Sequence, residues 1–216
     1  KIYSVILSQA ATEGDNSISN VSDKLTVHYI DVGQADSILV VQGDEAMLID
    51  AGNGGDKDTI ASYIESLGIT SINYLIGTHP HEDHIGSLAH IVNSFDIGKV
   101  YFPKVTANTR VFQNFVEAVK GKNLSLTVPK VNSSFYVGDA KCTILAPNSS
   151  SYTSTNNYSI VIKVEYGSTS FLLTGDAEVL SEEEMLANNL DVSATVLKLG
   201  HHGSKTATSE AFLDAV

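Results

Sequence analysis

The chain has 216 residues, 43% of them hydrophobic and 18% charged, which suits one sizeable α/β domain or two small ones. Its formal net charge of -12 disfavours broad electrostatic attraction to nucleic acid, although bound divalent ions can supply local positive charge to a phosphodiester. No apolar run approaches the roughly 20 residues of a membrane-spanning helix. The single cysteine, Cys142, excludes an intrachain disulfide framework and a zinc site built from cysteines.

The N-terminal part of the chain differs from the rest. Residues 8–23 are rich in Ser, Asn, Thr, Gly and Gln, and such a segment cannot bury enough surface to order itself. We therefore predict a flexible linker over residues 1–23 and one folded domain over residues 24–216. The chain begins with Lys1, so we expect an upstream segment to have been removed. A secretory or lipid-anchor segment would imply an extracellular or cell-surface location, whereas a cloning boundary would leave a cytoplasmic location open.

From residue 24 onward, alternating apolar residues predict strands and a 3.6-residue period predicts helices. Strands are predicted at 25–29, 37–42, 46–50, 72–76, 160–164, 170–173 and 194–199, with two short strands inside 133–145. Helices are predicted at 60–68, 85–95, 111–121 and 178–187, and from residue 209 onward. Strands first cluster and then alternate with helices, which favours an α/β chain of layered sheets flanked by helices over a bundle or a barrel.

A histidine-rich motif follows the predicted strand at 72–76. Residues 79–84 read His-Pro-His-Glu-Asp-His, which places three imidazoles and an aspartate at a strand end. Imidazole nitrogen and carboxylate oxygen are ligands that zinc, manganese and iron favour. Close histidines would otherwise repel as imidazolium ions or leave buried nitrogens unpaired, so the motif indicates a metal site rather than a polar surface loop.

Four further motifs lie at predicted strand ends. Residues 31–37 read Asp-Val-Gly-Gln-Ala-Asp-Ser, and residues 48–52 read Leu-Ile-Asp-Ala-Gly. Residues 172–176 read Leu-Leu-Thr-Gly-Asp, which puts the Asp176 carboxylate at a sheet edge where it could bridge two cations; alone, it is more typical of a helix N-cap. Residues 200–204 read Gly-His-His-Gly-Ser, and the glycines allow the backbone to approach a ligand closely.

The order of these motifs resembles the metallo-β-lactamase superfamily, whose signature is H-x-H-x-D-H at a strand end. It is most similar to the extracellular hydrolase domain of ComEC-type DNA-uptake competence proteins. That branch shows D-V-G-Q-G-D-S, I-D-x-G, H-P-H-x-D-H, N-x-S, L-x-T-G-D and H-H-G-S in this order, and the chain matches it over residues 31–204 with Ala35 in place of a glycine. The resemblance implies an αβ/βα sandwich of two mixed sheets flanked by helices, with one or two divalent ions, zinc or manganese, at one edge.

The resemblance also implies roles for individual residues. His79 and His81 would serve one metal, Asp83 and His84 the other, and Asp176 would bridge the two. His202 is favoured as a further ligand, with His201 as an outer partner for a substrate oxygen or the leaving group; the sequence leaves the reverse assignment open. The expected metal ligands are therefore His79, His81, Asp83, His84, Asp176 and His202, and the expected catalytic residues are Asp83, Asp176 and His201.

A second group of residues is expected to support these ligands or contact the substrate. Asp50 would orient the histidine loop as an acceptor behind a metal-bound imidazole, although it could equally be a turn residue before Gly52. The other members of this group are Asp31, Gln34, Asp36, Asn157, Ser204 and Lys205.

Two departures from the superfamily qualify these expectations. Many members supply another histidine before the Gly-Asp motif, but this chain has Asn157 in that region. The His79/His81 metal would then be weakly held, rich in oxygen ligands, or absent. The resemblance also leads us to expect further strand and helix after Val216, so the domain is predicted to be incomplete at its C-terminal end.

These expectations favour a secreted or surface-tethered metal-dependent hydrolase that cleaves phosphodiesters through a metal-activated water, as a nuclease would, with DNA as a possible substrate. One alternative is a cell-envelope phosphodiesterase similar to surface phosphorylcholine esterases. Another is a metal-containing binding module without turnover. A basic strip near the cleft, from Lys104, Arg110, Lys198 and Lys205, would favour DNA; scattered solvated lysines are the plainer interpretation.

Overall fold

A computed structural model describes residues 2–8 by their backbone and residues 24–216 in full. The strands are β1 (Ile2–Ser8), β2 (Lys24–Ile30), β3 (Ile38–Gln42), β4 (Glu45–Ile49), β5 (Ser71–Ile76), β6 (Asp96–Tyr101), β7 (Leu126–Thr127), β8 (Ser134–Val137), β9 (Ala140–Ala146), β10 (Val161–Tyr166), β11 (Thr169–Leu173) and β12 (Val196–Lys198). The helices are α1 (Lys57–Ser66), α2 (Glu82–Ile85), α3 (Leu88–Ser94), α4 (Arg110–Gly121), α5 (Val179–Ala187) and α6 (Glu210–Ala215). Short 3-10 turns lie at Gly54–Asp56, Thr155–Tyr158 and Gly200–Gly203.

The described strands form two mixed sheets. In the first sheet, β1 to β7 lie in chain order, antiparallel as far as β4 and parallel from β4 to β7. The second sheet has the order β12-β11-β10-β9-β8 and is antiparallel except for the β11–β12 pair. The β3–β4 hairpin turns at Gly43, whose φ of 60° is a conformation that glycine adopts without a steric penalty.

Three apolar clusters separate four layers. On β3 and β4 successive side chains point to opposite faces, so Leu39 and Leu48 join the helices α1, α3 and α4, while Val40 and Met47 face the second sheet. The middle cluster lies between the sheets, and the third packs α5 and α6 on the outer face of the second sheet. The predicted αβ/βα sandwich of two mixed sheets flanked by helices is confirmed.

Helix α4 shows how the sequence specifies one of these layers. The Thr109 hydroxyl accepts a hydrogen bond from the Phe112 N–H at 3.3 Å and so caps the first turn. Phe112, Phe115 and Val119 are buried on one face at helical spacing. The Phe115 ring lies 5.7 Å from the Phe102 ring, which anchors the helix to the loop after β6.

The structure departs from the sequence predictions at one helix and three strands. The helix predicted over 85–95 is divided into α2 and α3 at Gly86 and Ser87. Strands β6 and β7 were not predicted, because 96–101 has a glycine and two charged residues and 126–127 is too short for a period to show. The strand predicted over 194–199 is shorter, since β12 pairs with β11 over three residues.

The linker predicted over residues 1–23 overlaps an observed strand. Ile2–Ser8 pairs antiparallel with β2 along its whole length, from Ile2 opposite Ile30 to Ser8 opposite Lys24. This stretch reads Ile-Tyr-Ser-Val-Ile-Leu-Ser, which is rich in residues that favour strands, and it extends the first sheet. Residue 1 and residues 9–23 lie outside the described residues, so the domain boundary stays a prediction.

Across the described residues, the helices are all too short or too polar to cross a bilayer.

Gly86 marks a close backbone crossing beneath the histidine loop. Its N–H donates to the Gly52 carbonyl at 2.9 Å, and a Cβ added at Gly86 would lie 2.4 Å from the carbonyl carbon of Asn53. Backbone atoms cannot yield as a flexible side chain does. The two loops that carry Asp50 and the histidine motif are therefore held together at a point that requires glycine.

Gly86→Ala is expected to lower the free energy of unfolding by about 1–3 kcal/mol, because the added methyl group separates these loops. Gly121→Ala is the matched control, since a Cβ there meets no atom within 4 Å. That control should be neutral or stabilising by up to about 1 kcal/mol. Urea unfolding followed by circular dichroism measures both, and equal stabilities for the two variants would contradict the tight crossing.

Candidate metal centre

The candidate ligands come from the carboxyl ends of four strands. Asp50 follows β4, the histidine motif follows β5, Asp176 follows β11, and His201 and His202 follow β12. Both β4–β5 and β11–β12 are parallel pairs, so the carboxyl ends within each pair lie side by side, and contacts of Asp176 with His79 and His84 join the two sheets there. The site therefore collects residues that are up to about 150 positions apart in the chain.

One group of donor atoms converges around Asp176. Asp83, His84, Asp176 and His202 each offer a ligand atom within 4.8 Å of the others. His84 Nε2 lies 3.2 Å from Asp176 Oδ1, and His202 Nε2 lies 3.2 Å from Asp83 Oδ2 and 3.5 Å from Asp176 Oδ1. We call these four residues the His84/His202 group.

A second group faces the other oxygen of the same carboxylate. His79 Nε2 lies 3.0 Å from His81 Nδ1 and 3.8 Å from Asp176 Oδ2. His201 Nε2 is also 3.8 Å from Asp176 Oδ2. We call His79 and His81 the His79/His81 pair. Asp176 thus presents Oδ1 to one set of imidazoles and Oδ2 to another.

The buried polar atoms at this edge fit divalent cations. His84 Nε2, His202 Nε2 and Asp176 Oδ1 are buried and have no hydrogen-bond partner, although their residues lie side by side. Buried polar atoms without partners are costly, and a shared cation would satisfy all three. The donor set is imidazole nitrogen with carboxylate oxygen, which suits zinc and manganese. The residues present therefore form a candidate metal-binding site.

Asp50 fixes the orientation of His84. The Asp50 carboxylate is fully buried and accepts hydrogen bonds from the Thr78 N–H at 2.8 Å and the Thr78 hydroxyl at 2.7 Å. Its Oδ2 also lies 2.7 Å from His84 Nδ1, so the opposite ring nitrogen faces the site. This is the carboxylate–imidazole arrangement that orients metal ligands in proteins, and it places Asp50 in the supporting position expected from the sequence.

The electrostatics of the two histidine sets differ. Burial lowers the pKa of His84, but Asp50 and Asp176 outweigh burial and raise that pKa to about 10. Contacts with Asp36 and Asp83 raise the pKa of His202 to about 9. Burial and the neighbouring imidazoles hold the pKa of His79 well below its ordinary value. The carboxylates around His84 and His202 thus favour a positive charge at these imidazoles, and a bound metal ion would supply that charge in place of a proton.

The two histidines after β12 point in different directions. Their φ angles of 47° and 52° lie in the left-handed region, which costs energy for residues with a side chain and is typical of functional sites. His202 Nδ1 lies 3.5 Å from Asp36 Oδ1, and Nε2 faces the His84/His202 group. His201 Nδ1 lies 2.9 Å from the Thr206 hydroxyl and 3.4 Å from Glu178 Oε1. His202 is thus surrounded by candidate ligands and His201 stands at the rim.

Several residues named from the sequence lie away from these donor atoms. Asp31 and Gln34 are exposed, and an Asp31 oxygen accepts from the Gly33 N–H at 3.2 Å. The Ser204 hydroxyl lies 3.1 Å from the Thr206 hydroxyl, and Lys205 is exposed on the turn beyond. The structure does not bring these four side chains into the candidate centre.

Asn157 lies behind the rim of the site, and its expected supporting role stays a prediction. It is buried, and its side-chain oxygen accepts from the Glu178 N–H at 3.1 Å at the start of α5. The neighbouring Asn156 faces the site instead, with Nδ2 3.4 Å from the His201 ring nitrogens. Glu178, rather than Asp176, is the N-cap residue of α5, so the capping role considered for Asp176 is not observed.

Three supporting residues were missed or misplaced by the sequence analysis. The Ser159 hydroxyl lies 3.3 Å from His79 Nδ1 and accepts from the Asp176 N–H at 3.1 Å, and Thr78 positions Asp50. Lys198 does not belong to an exposed basic strip, because its ammonium lies 2.6 Å from Asp36 Oδ2 in a nearly buried pair. The sequence did offer one indication, because Lys198 lies inside a predicted strand and a lysine buried in a strand requires a partner.

Comparison with known proteins assigns the chain to a family. The family model of the metallo-beta-lactamase superfamily matches residues 30–216, and the chain belongs to that superfamily. The expected resemblance to ComEC-type competence proteins is also confirmed by the relatives. The chain is 28% identical to ComE operon protein 3 of Bacillus subtilis over 212 residues, covering 89% of this chain and 27% of that protein.

Another relative, recombination protein 2 of Haemophilus influenzae, is 31% identical over 195 residues, covering 88% of this chain and 23% of the relative. The chain therefore spans about a quarter of the length of these curated relatives. Among solved structures, a B3 metallo-beta-lactamase with an active-site glutamic acid has a TM-score of 0.60 at 15% identity, covering 88% of this chain and 84% of that one. That likeness concerns the fold.

Proposed function

We propose that this chain is a metal-dependent hydrolase that cleaves phosphodiester bonds, with zinc or manganese at two neighbouring positions. The observation that carries the proposal is the division of the Asp176 carboxylate, whose Oδ1 faces His84 and His202 while Oδ2 faces His79 and His201. A pair of divalent ions at such a site makes water nucleophilic at neutral pH and offsets charge on phosphoryl oxygens.

Residues of the chain would bind the metal ions, orient the attacking water and contact the substrate. His79, His81, Asp83, His84, Asp176 and His202 form the proposed ligand set. Asp83 is half-buried and lies 3.2 Å from His202 Nε2, so its other oxygen can orient the attacking water. His201 stands at the rim beside the Thr206 hydroxyl, a position suited to hydrogen bonding with a substrate oxygen or the leaving group.

The two positions are unequally supported. Carboxylates lie behind His84 and His202, whereas hydroxyl groups of Thr78 and Ser159 lie 3.2 and 3.3 Å from His79 Nδ1. Carboxylate partners strengthen an imidazole ligand more than neutral partners do. We therefore expect the His84/His202 position to fill first and the His79/His81 position to bind more weakly, as the missing histidine in the sequence suggested.

A groove after β6 is our proposed place for an aromatic part of the substrate. It has a volume of about 680 Å³ and is lined mainly by apolar and aromatic side chains, among them Phe102, Val128 and Tyr158. Phe102 packs under Gly77 at the end of β5, where an added Cβ would come within 2.8 Å of its ring. Tyr158 is the residue before Ser159, whose hydroxyl contacts His79. The groove is thus lined by residues that lie next in the chain to segments carrying the site.

The charge of this groove favours a nucleotide over a choline ester. Lys104 is the charged side chain among its described lining residues, and it is exposed. Tyr158 is the partly exposed aromatic ring of the lining, and an ammonium group near such a ring suits a phosphate next to a stacked base. The same ammonium would repel the quaternary ammonium of choline. The cell-envelope phosphodiesterase remains the second candidate, because the metal centre alone serves either substrate.

The relatives bear on the biological setting of the proposal. Besides the two proteins above, a relative from Neisseria gonorrhoeae is named competence protein ComA and is 26% identical over 188 residues. We propose that this chain likewise acts on DNA at the cell surface or outside the cell. The net charge of -12 argues against tight non-specific binding of DNA, so the metal ions would supply most of the attraction for phosphate.

Turnover should depend on both halves of the centre. His81→Ala and Asp176→Ala are each expected to lower hydrolysis of bis(p-nitrophenyl) phosphate by at least roughly 100-fold, because a lost ligand should cost more than a lost supporting residue. The assay is run with Zn²⁺ or Mn²⁺ and repeated with chelator, which should abolish activity. Asp44→Ala, exposed in the β3–β4 turn, is the control. Undiminished turnover in both variants, or metal binding without turnover of any phosphodiester, would contradict the proposal.

Lys104→Glu tests the groove separately. The variant should raise KM for a short single-stranded oligonucleotide about three- to tenfold, because it replaces an attractive charge by a repulsive one. KM for bis(p-nitrophenyl) phosphate, which is too short to reach along the groove, should stay unchanged. Lys24→Glu carries the same charge change at the start of β2, the end of the first sheet opposite the carboxyl end of β4, and is the control. An equal effect of both variants would exclude a specific role for the groove.

A further inference from the structure

We propose that Lys198 is a positioning residue that holds His202 in its metal-binding orientation, acting through Asp36. The proposal depends on the ligand set described above and not on the substrate. It therefore stands or falls by metal binding, whatever the outcome of the phosphodiesterase assay.

Lys198 is fixed by three acceptors at the end of β12. Its ammonium donates to Asp36 Oδ2 at 2.6 Å, to the Gly175 carbonyl at 3.1 Å and to the Leu199 carbonyl at 3.2 Å. An ammonium group has three N–H donors, so all of them can be used. The side chain is 12% exposed and cannot serve as a mobile surface charge.

Asp36 transmits this fixed position to His202. Its Oδ2 is held by Lys198, and its Oδ1 lies 3.5 Å from His202 Nδ1. The backbone of Asp36 is anchored as well, because its N–H donates to the Asp83 carbonyl at 3.1 Å and its carbonyl accepts from the Gly52 N–H at 2.9 Å. With Nδ1 turned towards Asp36, His202 directs Nε2 into the His84/His202 group.

His202 needs such support more than His84 does. His84 is fully buried on α2, so packing restricts its ring. His202 lies on a short turn in the left-handed backbone region and its side chain is 15% exposed. Packing therefore restricts the His202 ring less than the His84 ring, and a partner at Nδ1 contributes more to its orientation.

A carboxylate held by a donor stands behind His202, as one does behind His84, but the donor differs. There, the Asp50 carboxylate is held by two hydrogen bonds from Thr78 and contacts His84 Nδ1. Behind His202, the Asp36 carboxylate is held by Lys198. The charged donor also offsets one of the carboxylates that crowd the centre: Asp36, Asp50, Asp83 and Asp176. At this edge of the described chain, Lys198 is the lysine that forms an ion pair with one of these carboxylates, Asp36.

Removing Lys198 should therefore weaken one metal position selectively. Without its ammonium, Asp36 Oδ2 loses its strongest donor and the carboxylate can rotate away from His202. Loss of a partner behind a metal-bound imidazole lowers metal affinity about 10- to 100-fold. We expect that loss at the position containing His202, while affinity at the His79/His81 pair stays near the wild-type value.

The test is competitive metal titration of the full chain against a chromogenic chelator, with bound Zn²⁺ counted by elemental analysis. Lys198→Met keeps the length of the side chain without its charge and should lose 10- to 100-fold affinity for one of two ions. His202→Ala marks which ion that is, and Lys198→Arg should restore binding. Lys120→Met, exposed on α4, controls for the change in net charge.

A non-additive double variant separates positioning from a general structural role. Asp36→Asn should lose the same ion, and Lys198→Met combined with Asp36→Asn should bind no more weakly than Asp36→Asn alone. Melting temperatures of the metal-free proteins, together with Lys198→Arg, show whether a loss arises from unfolding. Wild-type affinity for both ions in Lys198→Met, or losses that multiply in the double variant, would overturn the proposal.

Discussion

The carboxylate of Asp176 is the constraint around which the rest of the molecule is arranged. It is 1% exposed, yet it is surrounded by four imidazoles and by the carboxylate of Asp83. A buried carboxylate requires compensating charge or hydrogen-bond donors. The backbone N–H of Asp176 donates to the Ser159 hydroxyl, but the Oδ1 atom of its side chain has no hydrogen-bond partner. Divalent cations resolve this arrangement, because they satisfy the carboxylate and the facing imidazole nitrogens together.

The two packed sheets allow the side chains around Asp176 to come together. Parallel pairing of β4 with β5 and of β11 with β12 brings four strand ends to one edge, and the apolar cluster between the sheets keeps the two halves of the site in register. Polar residues behind the histidines then set the direction of each ring. Asp50 lies 2.7 Å from His84 Nδ1 and Asp36 lies 3.5 Å from His202 Nδ1, so buried carboxylates stand behind both rings.

Much of this arrangement was predictable from the sequence because strong local signals coincide with the site. Alternating apolar residues predicted most of the described strands. The motif order identified the family and placed Asp50 behind the histidine loop. The sequence could not assign His201 and His202, since adjacent residues in a left-handed turn point in directions that no spacing rule predicts.

The remaining errors have physical causes as well. Lys198 was expected at the surface because isolated lysines usually are solvated, and its partner Asp36 is 162 positions away in the chain. The sequence did not indicate that Asn157 binds the start of α5 while Asn156 faces His201. The polar composition after residue 8 concealed the strand at Ile2–Ser8, which pairing with β2 incorporates into the sheet. These features depend on tertiary contacts, which local sequence patterns do not reveal.

The most direct test of the central claim is a crystal structure of the zinc-loaded protein with anomalous diffraction recorded on both sides of the zinc absorption edge. The account predicts two zinc peaks about 3.5–4 Å apart. One should contact His84, His202 and Asp83, the other should contact His79 and His81, and both should contact the Asp176 carboxylate. A lone peak away from Asp176, or a His202 ring turned out of the cluster while zinc is bound, would contradict it.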